Sequence, residues 1–250
     1  SGLNSPFSLA TFEDKLFVCG NGAYYVDGGG NLERIFGDWC DEVTVSANKL
    51  FVTFQGERLG DRKILWADLT SPEFNWQDVS PSASELADLV LPPEDLAFWH
   101  AIVVPDVVAL GNRILANVIV RVDGSGEYTN GHLYASEDLG GTWTRVDLDV
   151  PHDVIISKIV EDPDDPEHIL LLFRHPVIQE VTYQLSELIR ESHDGGRTWT
   201  RATDLTRGSN GLTDVAILGS AYYLLSPYDG YMVRLDGSDG EFVRMPRPEG

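Results

Sequence analysis

The chain has 250 residues, of which 42% are apolar, enough to build one sizeable core in an all-β domain. Its 40 acidic and 18 basic residues give a net charge of -22, which excludes nucleic-acid binding through a general electrostatic field because phosphates would be repelled. The same charge favours a cationic partner, a metal ion or a neutral glycan, and no run of about 18 apolar residues predicts a membrane span.

Short β-strands dominate the sequence from its first residues to its last. Runs rich in Val, Ile, Leu, Tyr and Phe recur between Gly, Asp, Asn and Pro, which is typical of strands and turns. One segment, Ser82–Val90, predicts a short helix. An alternating βα architecture is therefore excluded.

A four-strand unit recurs five times along the chain. In units two, three and five, Val43, Val107 and Val215 each stand seven residues before an apolar residue of the second strand. The turns between these strands suit tight hairpins, and they are Ala47-Asn48, Gly111-Asn112 and Gly219-Ser220. The units cover residues 5–38, 41–80, 105–150, 153–205 and 211–247, with an insertion at residues 80–105.

This repeat predicts one all-β domain over residues 1–250, a β-propeller of five four-stranded blades, with six as the alternative count. One four-stranded sheet cannot cover both its faces alone, whereas a ring of sheets covers each face with a neighbour. Since the units run complete from first to last strand, we expect ring closure without a strand exchanged between the termini. A two-sheet sandwich is the rival fold. Cys19 and Cys40 fall near the junction of the first two units, where they either pair or remain separate thiols.

Two segments fit the pattern S-x-D-x-G-x-T-W, namely Ser136–Trp143 and Ser192–Trp199, 56 residues apart. A weaker copy, Tyr25–Leu32, keeps the Asp, the Gly and an apolar last position. The pattern resembles the Asp box of the BNR-repeat propellers, which include sialidases, sortilin-type receptors, xyloglucan hydrolases and photosystem assembly factors. The resemblance implies a turn between the third and fourth strands of a blade, in which the Asp accepts backbone N–H bonds and the Gly takes a positive φ. In the family these turns stabilise the fold and lie away from the active face.

The resemblance does not extend to sialidase catalysis. Sialidases use three arginines, a nucleophilic Tyr with a Glu partner and an acid–base Asp, and they usually carry an Arg-Ile-Pro segment that this chain lacks. Arg58, Arg121 and Arg174 form the conceivable arginine trio, but no motif supports it. His152, His168 and His193 show no metal-ligand spacing. The sequence therefore predicts no catalytic residue, no metal site and no cofactor.

An acidic residue stands at the start of the first strand in four units. We call Glu42, Asp106, Asp153 and Asp214 the acidic collar, since the first strands of a propeller are innermost. The collar would bind a cation, a basic side chain or a sugar, or it merely solvates strand starts in an acidic chain.

Almost all of the inserted sequence falls on the propeller face that carries the b–c loops and the d–a connections, and Glu161–Glu167 is the clear exception. The inserted sequence on this face comprises Gln55–Arg62, Asp123–Asn130, Arg174–Gln184 and the connection Ser80–Pro105. Long loops on a rigid scaffold collect binding residues, and Arg and aromatic side chains are typical interaction anchors. The predicted binding residues on this face are Arg58, Trp99, His100, Arg121 and Arg174, with Trp99-His100 equally able to plug the channel.

These features favour a non-catalytic recognition or assembly propeller that binds a glycan or a partner protein through the long-loop face. The 24 Asp and 4 Lys residues resemble the composition of halophile proteins, although an ordinary acidic secreted protein explains them as well. We expect an extracellular or surface-exposed location, on a cell surface or a virion. One segment, Ile64–Pro72, is faintly similar to propellers that serve as hubs in phage tails. The alternatives are a glycoside hydrolase that uses carboxylates of the collar, and a purely structural propeller.

Overall fold

The computed structural model describes residues 8–54, 61, 63–89, 100–122, 127–150, 154–174, 189–202, 214–219, 221–226, 230–234 and 242–244. The chain divides into two compact units, Ser1–Asp147 and Leu148–Gly250. Within the described residues, every sheet is a four-stranded antiparallel meander in which each strand pairs with the next one along the chain. This confirms the prediction of an all-β chain built from four-stranded units, while the number of blades and the mode of ring closure stay predictions.

The first unit contains three of these sheets. Their strands are, for the first sheet, β1 (Ser8–Phe12), β2 (Lys15–Cys19), β3 (Ala23–Val26) and β4 (Leu32–Phe36); for the second, β5 (Glu42–Ser46), β6 (Lys49–Thr53), β7 (Ile64–Asp68) and β8 (Gln77–Asp78); and for the third, β9 (His100–Leu110), β10 (Arg113–Val122), β11 (Glu127–Ser136) and β12 (Thr144–Arg145).

The second unit contains two sheets of the same kind. Their strands are, for the fourth sheet, β13 (Ile155–Glu161), β14 (Ile169–Arg174), β15 (Ile189–Ser192) and β16 (Thr200–Arg201); and for the fifth, β17 (Asp214–Leu218), β18 (Ala221–Ser226), β19 (Gly230–Arg234) and β20 (Phe242–Arg244).

The second sheet shows how the core of the first unit is formed. Leu50, Phe51 and Val52 are consecutive in β6 and all fully buried, although neighbouring strand residues point to opposite faces. Phe51 belongs to the cluster shared with the third sheet, where it packs with Ile114 and Trp143 among others. Leu50 and Val52 belong to the cluster shared with the first sheet. The second sheet is thus covered on both faces, which a two-sheet sandwich does not provide.

The tight hairpin turns are confirmed where the structure describes them. Ala47 and Asn48 both adopt positive φ, at 48° and 60°, as a two-residue turn between twisted strands requires. Gly111 has a φ of 63° and Gly219 one of 58°. These turns give the first two strands of the second, third and fifth sheets the same register over the five residue pairs next to the turn.

Cys19 and Cys40 form a disulfide bond. The bond joins the end of β2 to the segment that leads into β5, so it links the first sheet to the start of the second. Both residues are fully buried in the cluster between these two sheets. Of the two alternatives open from the sequence, the structure selects the paired one.

The predicted insertion at residues 80–105 is wrong at its end, because β9 begins at His100 and not at Asp106. Proline cannot donate a ladder hydrogen bond, so Pro105 would interrupt an inner strand. However, β9 is the edge strand of its sheet, and its register with β10 shifts between Asn117 and Ile119, opposite this proline. A bulge on an edge strand accommodates proline, so the strand continues. Likewise β11 begins at Glu127, which shortens the predicted loop Asp123–Asn130.

The predicted helix Ser82–Val90 is also wrong in the part that the structure describes, where residues 83–88 form turns. Ser82 and Glu85 do make the reciprocal bonds of a capping box, with Ser82 N donating to Glu85 Oε2 over 2.7 Å. The segment is too short to repay helix nucleation on its own. Leu86 and Leu89 are instead buried in the core of the first unit.

Candidate functional site

Two members of the acidic collar, Glu42 and Asp106, lie in the first unit with described side chains. Each occupies the fifth position before the two-residue turn of its first hairpin, since Glu42 pairs with Thr53 and Asp106 with Asn117. Both side chains are half-buried. Asp214 takes the equivalent place in β17, opposite Leu225. The register therefore confirms that these three acids are equivalent within their own sheets.

In the first unit, the first strands of neighbouring sheets, β1, β5 and β9, are joined by hydrogen bonds of the Ser8 and Ser46 hydroxyls. Ser8 Oγ donates to Glu42 Oε1 over 3.2 Å and accepts from Val43 N over 3.3 Å. Ser46 Oγ accepts from Ala109 N over 3.1 Å and donates to Ala109 O over 2.9 Å. Ser8 and Glu42 both stand five residues before the turn of their hairpin, whereas Ser46 stands one residue and Ala109 two residues before theirs. The strands β1 and β5, and the strands β5 and β9, therefore lie side by side with registers that agree to within one residue. Glu42 and Asp106 therefore stand at corresponding ends of neighbouring strands.

The remaining predicted site residues stay predictions. Three of them, Arg58, Trp99 and Asp153, lie outside the described residues. Four others have their backbone in strands: His100 in β9, Arg121 in β10, Arg174 in β14 and Asp214 in β17. For His100 this corrects the prediction of a loop position, because it pairs with Val122.

The first Asp-box turn has the bonds that its sequence predicted. Asp138 Oδ1 accepts from Thr142 N and Asp138 Oδ2 from Thr142 Oγ1, over 2.8 and 3.0 Å. Ser136 Oγ accepts from Gly140 N over 2.7 Å. Gly140 has a φ of 90°, and a Cβ there would stand 2.3 Å from Val79 Cβ, so only glycine fits. Trp143 is buried and donates from Nε1 to the carbonyl of Val79, beyond the end of β8 in the preceding sheet.

The second copy repeats this turn in the fourth sheet. Asp194 Oδ1 accepts from Thr198 N over 2.8 Å and Asp194 Oδ2 from Thr198 Oγ1 over 2.6 Å. These bonds, led by the one from the Thr198 hydroxyl, outweigh desolvation and lower the pKa of Asp194 to about 2. Trp199 differs from its counterpart, because its Nε1 donates to Gly196 O of its own turn. Both copies therefore stabilise hairpins.

A cluster of titratable side chains in the second unit surrounds His168. We call it the His168 cluster, and it comprises Asp162, His168, Glu191, His193 and Tyr222. His168 Nδ1 lies 2.9 Å from Asp162 Oδ2, and His168 Nε2 lies 2.8 Å from Glu191 Oε1. Tyr222 donates its hydroxyl to Glu191 Oε1 over 3.1 Å. The ring of His193 stacks on that of His168, with centroids 4.6 Å apart and an angle of 11°.

Burial and neighbouring charges have opposite effects on the pKa values of His168 and Glu191. Burial opposes the charged forms of His168 and Glu191, but hydrogen bonds and the opposite charge of each partner outweigh it. The pKa of His168 is therefore raised, chiefly by its bonds to Glu191 and Asp162 against desolvation, and the pKa of Glu191 is lowered by its bonds to His168 and Tyr222. Such a set can hold a proton or bind a cation through its histidine and carboxylate atoms.

Sequence reasoning missed this cluster because it treated His168 and His193 as unrelated. Strand register supplies the signal that was available, since Ile169 pairs with Ser192 across β14 and β15. In the same register, His168, which precedes Ile169, lies opposite His193, which follows Ser192. His152, the third histidine of that prediction, lies outside the described residues.

Comparisons with known proteins indicate the fold. No family model matches the chain, and no curated protein matches it. Among solved structures, the chain is similar to YCF48 bound to D1 peptide, with 12% identity over 96% of this chain and 69% of that one, at a TM-score of 0.52. It is also similar to an ancestral GH74 enzyme, with 12% identity over 96% of this chain and 31% of that one, at a TM-score of 0.55.

The chain spans only part of several similar structures. It covers 64% of a Kuenenia stuttgartiensis hydrazine synthase chain, at 15% identity over 92% of this chain and a TM-score of 0.47. No helix among the described residues has the length and apolar character needed to cross a membrane. At these identities the likeness concerns the fold alone. The chain has the all-β fold of the β-propeller proteins, built from four-stranded antiparallel sheets.

Proposed function

We propose that the chain is a non-catalytic recognition module that binds a basic segment of a partner protein at Glu42 and Asp106, the two members of the acidic collar that lie in the first unit. The observation that carries the proposal is the equivalence of Glu42, Asp106 and Asp214, each five positions before the turn of its first hairpin. Solvation of strand starts alone does not require the second, third and fifth sheets to carry an acid at the same position.

Charge and burial favour a cationic ligand. Glu42 and Asp106 are half-buried, so a lysine or arginine brought to them would interact at a lower effective dielectric than in bulk water. The net charge of -22 would also speed the approach of a basic segment. Because this attraction is screened by salt, the affinity should fall as ionic strength rises.

Two further considerations support a peptide as the ligand. A propeller of similar fold, YCF48, has been solved bound to D1 peptide, so the fold can present a peptide-binding surface. Among the residues predicted on the long-loop face, Trp99 and His100 would offer aromatic rings to basic side chains of the ligand. Arg58, Arg121 and Arg174 would instead contact carbonyl or acidic groups that flank the basic segment. A module of this kind would serve in a cell-surface or virion assembly outside the cytoplasm.

The proposal is tested by screening the chain against arrays of basic peptides, acidic peptides and glycans. We expect binding to peptides rich in Lys or Arg, loss of that binding in the double variant Glu42→Gln/Asp106→Asn, and retention in Glu73→Gln, which changes an exposed acid away from the collar. A chain that binds neither peptides nor glycans, at physiological and at molar salt, contradicts the proposal.

The second candidate function is glycoside hydrolysis, which the similarity of fold to a GH74 enzyme brings into consideration. Hydrolysis would require two carboxyl groups about 5–9.5 Å apart beside an open groove, one of them with a raised pKa. Incubation with a panel of oligosaccharides separates the two candidates, because a hydrolase would release reducing ends and lose that activity in Glu42→Gln/Asp106→Asn.

A further inference from the structure

We propose that the His168 cluster is a binding site for a divalent transition metal ion, best suited to Zn²⁺, with His168, Glu191 and His193 as protein ligands. One ligand atom from each of these residues lies within 4.8 Å of the other two. Two imidazoles and a carboxylate are ligands that zinc commonly takes in proteins. A water molecule would complete a four-coordinate site.

His168 is already oriented for this role. If Nδ1 keeps its proton and donates to Asp162 Oδ2, 2.9 Å away, a metal ion can displace the proton of Nε2 and bind there, beside Glu191 Oε1 at 2.8 Å. Asp162 is held in turn, since its Oδ1 accepts from Asp164 N over 2.9 Å. A carboxylate behind a ligating histidine fixes the tautomer and raises the basicity of the ligand. The side chain of His168 is only 6% exposed, which limits its freedom to turn away.

The spacing of the ligand atoms suits a small cation. Glu191 Oε1 lies 2.8 Å from His168 Nε2 and 3.5 Å from His193 Nε2. Zinc bonds to nitrogen and oxygen of about 2.0–2.2 Å place tetrahedral ligand atoms about 3.4 Å apart. Shifts well below 1 Å therefore accommodate the ion between His168 and Glu191. Tyr222, whose hydroxyl donates to Glu191 Oε1, orients that carboxylate.

His193 must turn to complete the site. A metal ion bound by two imidazoles lies near the plane of each ring, but the rings of His168 and His193 are nearly parallel. His193 can supply the movement because its side chain is 64% exposed. Its backbone is meanwhile fixed between Ser192 and Asp194, which are bonded to each other in the Asp-box turn. The turn thus presents His193 beside the buried His168.

The first Asp-box copy provides a comparison within the same chain. Because Ile114 pairs with Ser136 as Ile169 pairs with Ser192, Arg113 corresponds to His168 and Glu137 to His193. Arg113 and Glu137 form an ion pair. The repeated hairpin therefore accepts an ion pair at these two positions and does not itself require two histidines.

The test is a calorimetric titration of the full chain, freed of metal by chelation, with Zn²⁺ at pH 7.5. We expect one equivalent to bind at the cluster, with at least tenfold weaker affinity in His193→Ala and 10–100-fold weaker affinity in Asp162→Asn, which lacks the carboxylate behind His168. The double variant His168→Arg/His193→Glu, which copies the pair of the third sheet, should lose the site. The control His132→Gln, at a histidine in the first unit, should bind as the parent does.

Circular dichroism separates loss of binding from loss of folding. If the double variant does not fold, His193→Ala decides, because an exposed side chain is removed there. The proposal is overturned if the parent chain binds no zinc at micromolar concentration, or if His193→Ala and the double variant bind it as tightly as the parent does.

Discussion

Trp143 Nε1 donates a hydrogen bond to the backbone carbonyl of Val79 over 2.9 Å, joining the Asp-box turn of the third sheet to the end of the second. Replacing Trp143 with Phe keeps an aromatic ring but leaves the buried carbonyl without this donor. We expect a loss of about 2 kcal/mol in the free energy of unfolding, the sum of a lost bond and an unpaired buried acceptor. Urea unfolding measures it, with the exposed Trp39→Phe as control; equal midpoints for the two variants would contradict the role of this bond.

Because of Asp138, the stability that the first Asp-box turn contributes should depend on pH in the acid range. Its bonds from Thr142 N and from Ser136 lower its pKa below the unfolded value of 3.8, so the ionised form stabilises the fold at neutral pH. That contribution is fully present above the unfolded pKa and disappears as the pH falls through the lower folded pKa. Asp138→Asn should therefore melt at a lower temperature than the parent at pH 7, and the difference should shrink toward pH 2.5. A difference that is the same at both pH values would exclude this role, and Glu73→Gln serves as the control.

The disulfide between Cys19 and Cys40 should contribute strongly to the first unit. The two cysteines are 21 residues apart. Closing a loop of that length reduces the entropy of the unfolded chain by an amount worth about 3 kcal/mol. The variant Cys19→Ser/Cys40→Ser should lose about that much in urea unfolding, and reduction of the parent should reproduce the loss. Two free thiols titrating in unreduced, denatured protein would show that the bond does not form.

Because Lys63 is buried, we expect the stability of the fold to change with pH in the alkaline range. Its side chain is fully buried, and desolvation lowers its pKa to about 8 from 10.5. Between these values the unfolded chain binds the proton that the folded chain releases, so stability rises with pH there. Relative to Lys63→Met, the parent should gain up to about 1.4 kcal/mol per pH unit between pH 8 and 10 and nothing below pH 7. A flat difference over that range would mean that Lys63 stays charged in the fold.

The sequence was sufficient for the parts of the fold that local chemistry decides. Asn48 and Gly111 mark turns because both tolerate positive φ, and the alternation around them gives the strands. The start of β9 could not be predicted from the sequence. A strand can contain Pro105 only because β9 is an edge strand with a bulge at that point, and both features depend on the tertiary structure. The predicted helix Ser82–Val90 does not form in its described part, because the segment is short and its residues Leu86 and Leu89 pack into the core.

One of the two candidate sites could be predicted from the sequence, and the other could not. The equivalence of Glu42 and Asp106 follows from hairpin register, which spacing along the chain reveals. The His168 cluster depends on pairing between β14 and β15, whose separation along the chain hides the approach of His168 to His193. Two histidines 25 residues apart carry no local signal, and only the register of the sheet brings them together.

The most direct test of the proposed function is a calorimetric titration with the basic peptide that gives the strongest array signal. At low ionic strength the parent chain should bind it, and the affinity should fall at least tenfold in Glu42→Gln/Asp106→Asn, with a weaker dependence on salt, while Glu73→Gln binds as the parent does. Equal affinity and equal salt dependence for the parent and the double variant would contradict recognition at the acidic collar.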